Sequence, residues 1–97
     1  MRFEWDAVKA EANRLKHAIS FEEASALFTS GVDYLELFDA AHSGDEDRFM
    51  CIGPIVRGTA VVVVTERDED VLRLISARFA SKREVLLLER YLSGRSV

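Results

Sequence analysis

The chain of 97 residues is 48% hydrophobic and 31% charged, which is typical of a soluble globular protein, so we assign residues 1–97 to a single domain. No apolar run approaches the ~20 residues of a membrane helix, and the N-terminus lacks the apolar segment of a secretory signal, so we expect a cytoplasmic protein without a membrane partner. Cys51 is the only cysteine, which excludes an internal disulfide, disfavours a cysteine-based zinc site and indicates a buried structural thiol.

Acidic and basic residues are distributed unevenly along the chain. The net charge is −4, but residues 1–70 hold 7 basic and 15 acidic side chains, whereas residues 71–97 hold 6 basic and 2 acidic ones. A nucleic-acid ligand requires a local positive patch and not a positive total. The C-terminal third is therefore the part of the chain in which we expect such a contact.

The first part of the chain predicts a short strand and two helices. Residues 3–5 (FEW) read as the strand, and Asp6 as the N-cap of the first helix. Residues 20–23 (SFEE) have the pattern of a capping box that starts the second helix. Apolar residues that recur at helical spacing along the first helix are expected to face the core. They are Val8, Ala12, Leu15 and Ile19.

The remainder of the chain predicts four strands and a third helix. The predicted strands are residues 33–39, 48–53, 59–65 and 71–78. His42 falls in the loop between the first two, where we expect it to be solvated. Residues 81–84 (SKRE) form a capping box before a helix that is more apolar than one buried face requires. The order of these elements agrees with an α+β fold.

Four cations lie near the end of the last predicted strand, at Arg73, Arg78, Lys82 and Arg83. Two of them occupy the first turn of the last helix, where the partial positive charge of the helix N-terminus opposes each by roughly 0.3–1 kcal/mol. A bound anion would reverse the sign of that interaction. The cluster therefore indicates a phosphate-binding surface, and the alternative is that Lys82 and Arg83 simply point into water.

An ordered set of short motifs spans residues 3–91. The motifs are FEWD at residues 3–6, KH at 16–17, SFEEA at 20–24, EDRF at 46–49, the valines at 61–64 and ISAR at 75–78. In this order the motifs resemble the BrnT toxin family. The resemblance implies a RelE-like α+β fold, with a short N-terminal strand and two helices packed on an antiparallel β-sheet of about four to five strands, followed by a C-terminal helix. It implies, as the activity, an endoribonuclease of a type II toxin–antitoxin pair that arrests growth by cutting RNA. It also implies a BrnA-like, DNA-binding antitoxin as the partner that holds the toxin inactive.

Cleavage of RNA without a metal requires the ribose 2′-hydroxyl to lose a proton, the 5′-oxygen to gain one, and the added negative charge to be held. Arg73 and Arg78 are our candidates for holding it, because a guanidinium matches phosphate oxygens bidentately. Residues five apart on a regular strand lie on opposite faces, so a bulge, or Arg78 lying beyond the strand end, is needed for both to touch one phosphate.

His17 is the candidate for proton transfer because imidazole titrates near neutrality, with Lys16 as an electrostatic helper. The alternative for both is that they stabilise the C-terminal end of the first helix. Glu22 and Glu46 are further candidate bases, although each also reads as a solvated acid.

Arg48, Lys82 and Arg83 are the predicted RNA contacts. No spacing typical of metal ligands occurs in the sequence, and no glycine-rich phosphate loop is present, so we expect no metal and no cofactor. The expected partners are the antitoxin, the RNA substrate and, through the C-terminal helix or a sheet edge, a second copy of the chain. Two other readings stay open: a degenerate domain of the same fold that only binds an antitoxin, and a plain nucleic-acid-binding module.

Overall fold

Five strands and three helices make up residues 1–94, the part of the chain that the computed structural model describes. The strands are β1 (Arg2–Glu4), β2 (Leu35–Phe38), β3 (Phe49–Ile55), β4 (Gly58–Asp68) and β5 (Val71–Phe79). The helices are α1 (Ala7–His17), α2 (Phe21–Thr29) and α3 (Lys82–Leu92), and a short 3₁₀ turn covers Ala40–His42. The strands form one sheet in the order β1-β5-β4-β3-β2. The predicted α+β class is thereby confirmed.

The sheet is mixed, which differs from the antiparallel sheet predicted from the sequence. Strands β2 to β5 pair antiparallel to their neighbours, but β1 lies parallel to β5, with Arg2 opposite Val71 and Glu4 opposite Arg73. Short turns at residues 56–57 and 69–70 join β3 to β4 and β4 to β5 and make these neighbours run antiparallel. Almost the whole chain separates β1 from β5, so no turn imposes a direction on that pair.

The two faces of the sheet are covered by different helices. Helices α1 and α2 pack on the α1/α2 face, to which β4 contributes Ala60, Val62 and Val64. Helix α3 packs on the opposite α3 face, where its Leu88 meets Val61 and residues of β2 and β3. The alternation of side chains along β4 therefore supplies both halves of the core.

Three side chains start the three helices. The side chains of Asp6, Ser20 and Ser81 each accept a hydrogen bond from the backbone N–H three residues later, as predicted. Only Ser81 belongs to a complete capping box. At the second helix the Glu23 carboxylate instead accepts two hydrogen bonds from Arg57, each 2.6 Å long, so half of the predicted box is absent.

The predicted core stripe of α1 is wrong for three of its four members, since Val8 is 80% and Leu15 is 72% exposed and Ala12 is exposed as well. The buried residue of α1 is Asn13. Its Nδ2 donates to the carbonyls of Ala77 (2.8 Å) and Ile19 (3.2 Å), and its Oδ1 accepts from the Ala77 N–H (3.1 Å).

These hydrogen bonds explain why a polar residue faces the sheet. Strand β1 pairs only with residues 71–73 of β5, so the edge of β5 beyond them has no neighbouring strand. The Asn13 carboxamide satisfies the N–H and C=O of Ala77 as a neighbouring strand would. An apolar side chain at this position would leave two buried backbone groups without partners.

Cys51 is buried in β3. Burial raises the pKa of its thiol to about 12, so the group stays protonated at neutral pH and has no nucleophilic character. Among the helices of residues 1–94, none is long and apolar enough to cross a membrane.

Candidate functional site

A β-bulge in β5 places Arg73 and Arg78 on the same face of the sheet. The register between β4 and β5 shifts within this stretch and leaves Ile75 without a partner of its own. Arg78 lies opposite Val61 and Arg73 opposite Thr65, and positions four apart on β4 share one face. The two arginines therefore both lie on the α3 face, as the sequence-based hypothesis required.

Three arginines and two glutamates form a continuous network at the end of the α3 face that lies away from α3. Glu4 Oε1 lies 3.4 Å from Arg73 Nη1 and 3.2 Å from Arg67 Nε. Glu46 Oε2 lies 3.2 Å from Arg67 Nη1, and Glu46 Oε1 lies 3.8 Å from Arg48 Nη2. The five residues come from β1, β5, β4 and the segment before β3, and we call them the arginine network.

The ion pairs of the arginine network are loose. Their distances of 3.2 to 3.8 Å exceed the roughly 2.7–2.9 Å of a strong charge-assisted hydrogen bond. The side chains of Arg67 and Arg73 are 48% and 28% exposed, so solvent screens both. Arg48 Nε is buried and has no hydrogen-bond partner among residues 1–94. The three guanidinium groups therefore keep N–H donors that an anion could use.

Arg78 is held more firmly than the network arginines. Its two terminal nitrogens each donate to one oxygen of Glu84 at 2.8 Å. Glu84 also accepts from the Ser81 N–H, so one carboxylate completes the capping box of α3 and anchors the arginine. Lys82 and Arg83 lie beside this pair, exposed on the first turn of α3, with no salt bridge to a described acid.

Arg78 and Arg73 sit too far apart to hold one phosphate in the same way. Their partners on β4 are four residues apart, which corresponds to about 13 Å along the strand. A bound RNA would therefore meet the arginine network and the start of α3 with different parts of its backbone.

Glu84→Gln is expected to lower the free energy of unfolding by about 1–2 kcal/mol at pH 7, because it removes the charge that pairs with Arg78. The Arg78 guanidinium, with help from Ser81, lowers the pKa of Glu84 from 4.5 to about 2. A depressed folded-state pKa contributes stability that is fully present above pH 4.5 and is lost as the pH falls towards 2. Chemical denaturation of both proteins between pH 7 and pH 2.5 measures the difference.

The matched control is Glu89→Gln, which changes an exposed carboxylate on the same helix. It is expected to change the free energy of unfolding by less than about 0.5 kcal/mol. Glutamine keeps a carbonyl oxygen for the Ser81 N–H, so the cap itself is preserved. A Glu84→Gln deficit that stayed the same down to pH 2.5 would show that the loss does not come from the charge of Glu84 and would contradict the ion-pair explanation.

Lys16 and His17 are not brought to the α3 face. They lie at the end of α1, which packs on the α1/α2 face through Asn13, and Lys16 is exposed while His17 is half-buried. The sheet separates them from Arg73 and Arg78. The roles predicted for Lys16 and His17 in cleavage stay a prediction, one that requires RNA to pass around the open edge of β5.

The loop between β2 and β3 holds a histidine that sequence reasoning treated only as solvated. His42 Nδ1 lies 3.0 and 3.1 Å from the two carboxylate oxygens of Asp39. The ring is 71% exposed and lines an open cleft of about 420 Å³ together with Glu46 and Arg48. The spacing of Asp39 and His42, three positions apart, was the one signal in the sequence that could have indicated this pair.

No group of three or more His, Cys, Asp or Glu side chains that could hold a metal ion occurs within residues 1–94. Arg67, at the centre of the arginine network, was not selected from the sequence, where it reads as one charge in an acidic turn.

The chain resembles known proteins both in sequence and in structure. Residues 5–84 match the sequence profile of the family described as "Ribonuclease toxin, BrnT, of type II toxin-antitoxin system". The 1.1 Å crystal structure of the Brucella abortus ribonuclease toxin BrnT has 28% sequence identity and a TM-score of 0.68, and the similarity covers 84% of this chain and 99% of that chain. A comparison with curated protein sequences gave no significant match.

Proposed function

Because this chain belongs to the BrnT family of ribonuclease toxins of type II toxin–antitoxin systems, we propose that it is an endoribonuclease that cuts RNA without a metal ion and binds the RNA backbone across the arginine network. The observation that supports this proposal is the alignment of Arg48, Arg67 and Arg73 on one face of the sheet, with loose internal ion pairs. Cellular RNA as the substrate makes the cytoplasm the expected compartment.

Phosphate is a suitable ligand for this surface for two reasons. Guanidinium groups match phosphate oxygens bidentately and remain charged at every physiological pH. The carboxylates of Glu4 and Glu46 already lie between the arginines as negatively charged partners. A phosphate of the RNA could take the place of one of these carboxylates. Such an exchange leaves no guanidinium without a counter-charge.

Cleavage would follow the chemistry that the ribose permits. The 2′-oxygen attacks the adjacent phosphorus, the bond from phosphorus to the 5′-oxygen breaks, and the products are a 2′,3′-cyclic phosphate and a 5′-hydroxyl end. Arg73 would hold the charge that develops on the phosphate oxygens. Arg78, Lys82 and Arg83 would contact the flanking backbone at the start of α3, and Arg48 would contact the scissile phosphate from the end of the network opposite Arg73.

The test is cleavage by the purified chain, free of antitoxin, at low salt and in excess EDTA. A fluorogenic single-stranded RNA is expected to be cut and to yield cyclic-phosphate and 5′-hydroxyl ends. An oligonucleotide of the same sequence with 2′-O-methyl groups throughout is the control and is expected to stay intact, because its 2′-oxygens have no proton to lose. Intact unmodified RNA, or cleavage that appears only when Mg²⁺ is added, would contradict the proposal.

A type II toxin acts together with an antitoxin, and for this chain we propose a BrnA-like, DNA-binding antitoxin. Helix α3 supports a docking role, since Leu86, Tyr91 and Leu92 are 52%, 44% and 51% exposed. Contact between two copies of the chain through α3 or a sheet edge stays a prediction. Size-exclusion chromatography with light scattering, on the chain alone and after co-expression with the antitoxin, distinguishes a homodimer from a complex of the chain with the antitoxin.

One observation favours a second candidate function, a toxin-fold domain without activity that only binds an antitoxin. Arg73 and Arg78 are each paired with an acid of the same chain. Expression of the chain alone distinguishes the candidates, since it arrests growth if the chain is a ribonuclease and is harmless if the domain only binds.

A further inference from the structure

We propose that the cleft beside the arginine network is the proton-transfer centre of the ribonuclease, with His42 as the acid that protonates the 5′-oxygen and Glu46 as the base that deprotonates the 2′-hydroxyl. This inference rests on the proposed RNA cleavage and names residues for its two proton steps. Arg48 would hold the scissile phosphate between them.

The position of His42 is set by its own loop. The Asp39 carbonyl accepts from the His42 N–H and the Ser43 hydroxyl, and the Asp39 N–H donates to the Arg48 carbonyl. This short turn holds the Asp39 carboxylate, which is 20% exposed, against His42 Nδ1. Because an ionised carboxylate only accepts hydrogen bonds, Nδ1 carries a proton and donates it to Asp39. This contact orients the ring and leaves Nε2 to act on a ligand.

Glu46 and Arg48 supply the other two requirements in the same cleft. Glu46 lies between Arg48 and Arg67, so its carboxylate is adjacent to guanidinium groups that can bind phosphate. The Arg48 side chain is 33% exposed and its Nη2 lies 3.8 Å from Glu46, too far for a hydrogen bond, so its terminal N–H groups can donate to a phosphate. Imidazole, carboxylate and guanidinium thus line one opening of about 420 Å³.

The reaction balances with these groups and water. Glu46 takes the proton of the 2′-hydroxyl as the 2′-oxygen bonds to phosphorus, and protonated His42 gives its Nε2 proton to the 5′-oxygen as that bond breaks. Glu46 then holds one proton more and His42 one fewer. Exchange of protons with water restores both. Asp45 also lines the cleft and carries a further negative charge.

The experiment compares two substrates under single-turnover conditions. The first is an ordinary RNA oligonucleotide, and the second carries sulfur in place of the 5′-bridging oxygen at the preferred cut site. A thiolate leaves without being protonated, because a thiol has a pKa of about 8.5, far below that of an alcohol. A defect caused by the loss of a general acid therefore disappears on the sulfur substrate.

His42→Ala is expected to lower the cleavage rate of the ordinary RNA about 10²–10⁴-fold and to cut the sulfur substrate within about tenfold of the wild-type rate. Glu46→Gln is expected to lower the rates on both substrates, because attack by the 2′-oxygen still needs a base. Asp39→Asn should lower the cleavage rate of the ordinary RNA less than His42→Ala does, and the rate should recover in part on the sulfur substrate. A smaller effect is expected because Asp39 positions His42 and does not itself transfer a proton to the RNA. Glu89→Gln is the matched carboxylate control and should match the wild type on both.

His42→Gln and thermal unfolding of every variant separate catalytic loss from misfolding. Equal ordinary-RNA rates for wild type and His42→Ala, or a His42→Ala defect that persists in full on the sulfur substrate, would overturn the assignment while leaving RNA cleavage established. A defect of His17→Ala that the sulfur substrate rescues would also overturn it. Failure of the wild type to cut either substrate would instead contradict the proposed function itself.

Discussion

Arg73→Ala is expected to lower the rate of RNA cleavage about 10²–10³-fold, which is the usual effect of removing one group that stabilises developing charge. Arg73 has one loose partner, Glu4 at 3.4 Å, and a side chain that is only 28% exposed, so its guanidinium is placed but not saturated. The loss should appear in the cleavage rate at saturating enzyme. In cells the same substitution should relieve growth arrest.

The matched control for Arg73→Ala is Arg14→Ala. Arg14 also pairs with a single glutamate, Glu11, but it lies on α1, away from the α3 face. Its removal is expected to change the cleavage rate by less than about twofold, because Arg14 does not lie on the α3 face. The fold should also be retained, because a solvated ion pair contributes little to stability. Equal activity of wild type and Arg73→Ala, or equal losses in the two variants, would contradict a role for the α3 face in binding the scissile RNA.

Asn13→Ala is expected to lower the free energy of unfolding by about 2–4 kcal/mol, the largest stability effect that we expect from a single substitution in α1. The substitution leaves the N–H and C=O of Ala77 buried without their side-chain partner and also removes the bond to the Ile19 carbonyl. It opens the edge of β5, so association that increases with protein concentration should accompany the loss. Urea denaturation and light scattering measure the two effects.

Val8→Ala and Leu15→Ala are the controls on the same helix. Both side chains are mostly exposed, and alanine has the higher helix propensity, so each change should stay within about 0.5 kcal/mol. A Leu15→Ala loss as large as that of Asn13→Ala would restore the predicted apolar stripe and contradict the observed orientation of α1.

Features that depend on neighbouring residues were predicted well from the sequence. Asp6, Ser20 and Ser81 all cap helices, and the paired strands on either side of the turn at residues 69–70 form a hairpin. In each case the hydrogen bonds join positions close in sequence, so a local pattern carries the information. The same holds for the single buried thiol in an apolar strand.

Features that depend on distant residues were not predictable in this way. Asn13 meets Ala77 across 64 positions, and a polar residue in a helix gives no sign that it will replace a strand. The direction of β1 and the bulge at Ile75 likewise follow from how remote segments meet. Helical periodicity chose Val8 and Leu15 for the core because it ranks residues by hydropathy and not by the backbone groups they must satisfy.

The candidate site also has parts that the sequence predicted and parts that it did not. Composition and the basic start of α3 were enough to select Arg73 and Arg78, since the cations stand close together in the sequence. The partner of Arg73 is Glu4, 69 positions away, and the link from there to Arg48 passes through Arg67. A network of this kind exists only after the sheet has formed. For the same reason the cleft between His42 and Arg48 was not evident from the sequence.

RNA binding on the α3 face is tested most directly by mapping chemical-shift changes in the ¹⁵N-labelled protein. The ligand is a 2′-O-methyl RNA, which is expected to bind without being cut and is added at low salt. The largest changes are expected at Glu4, Arg48, Arg67 and Arg73, with smaller changes at the start of α3. Raising the salt concentration should remove them, because phosphate contacts release counterions. Changes centred instead on α1 and α2, with the arginine network unaffected, would contradict the assignment of RNA binding to the α3 face.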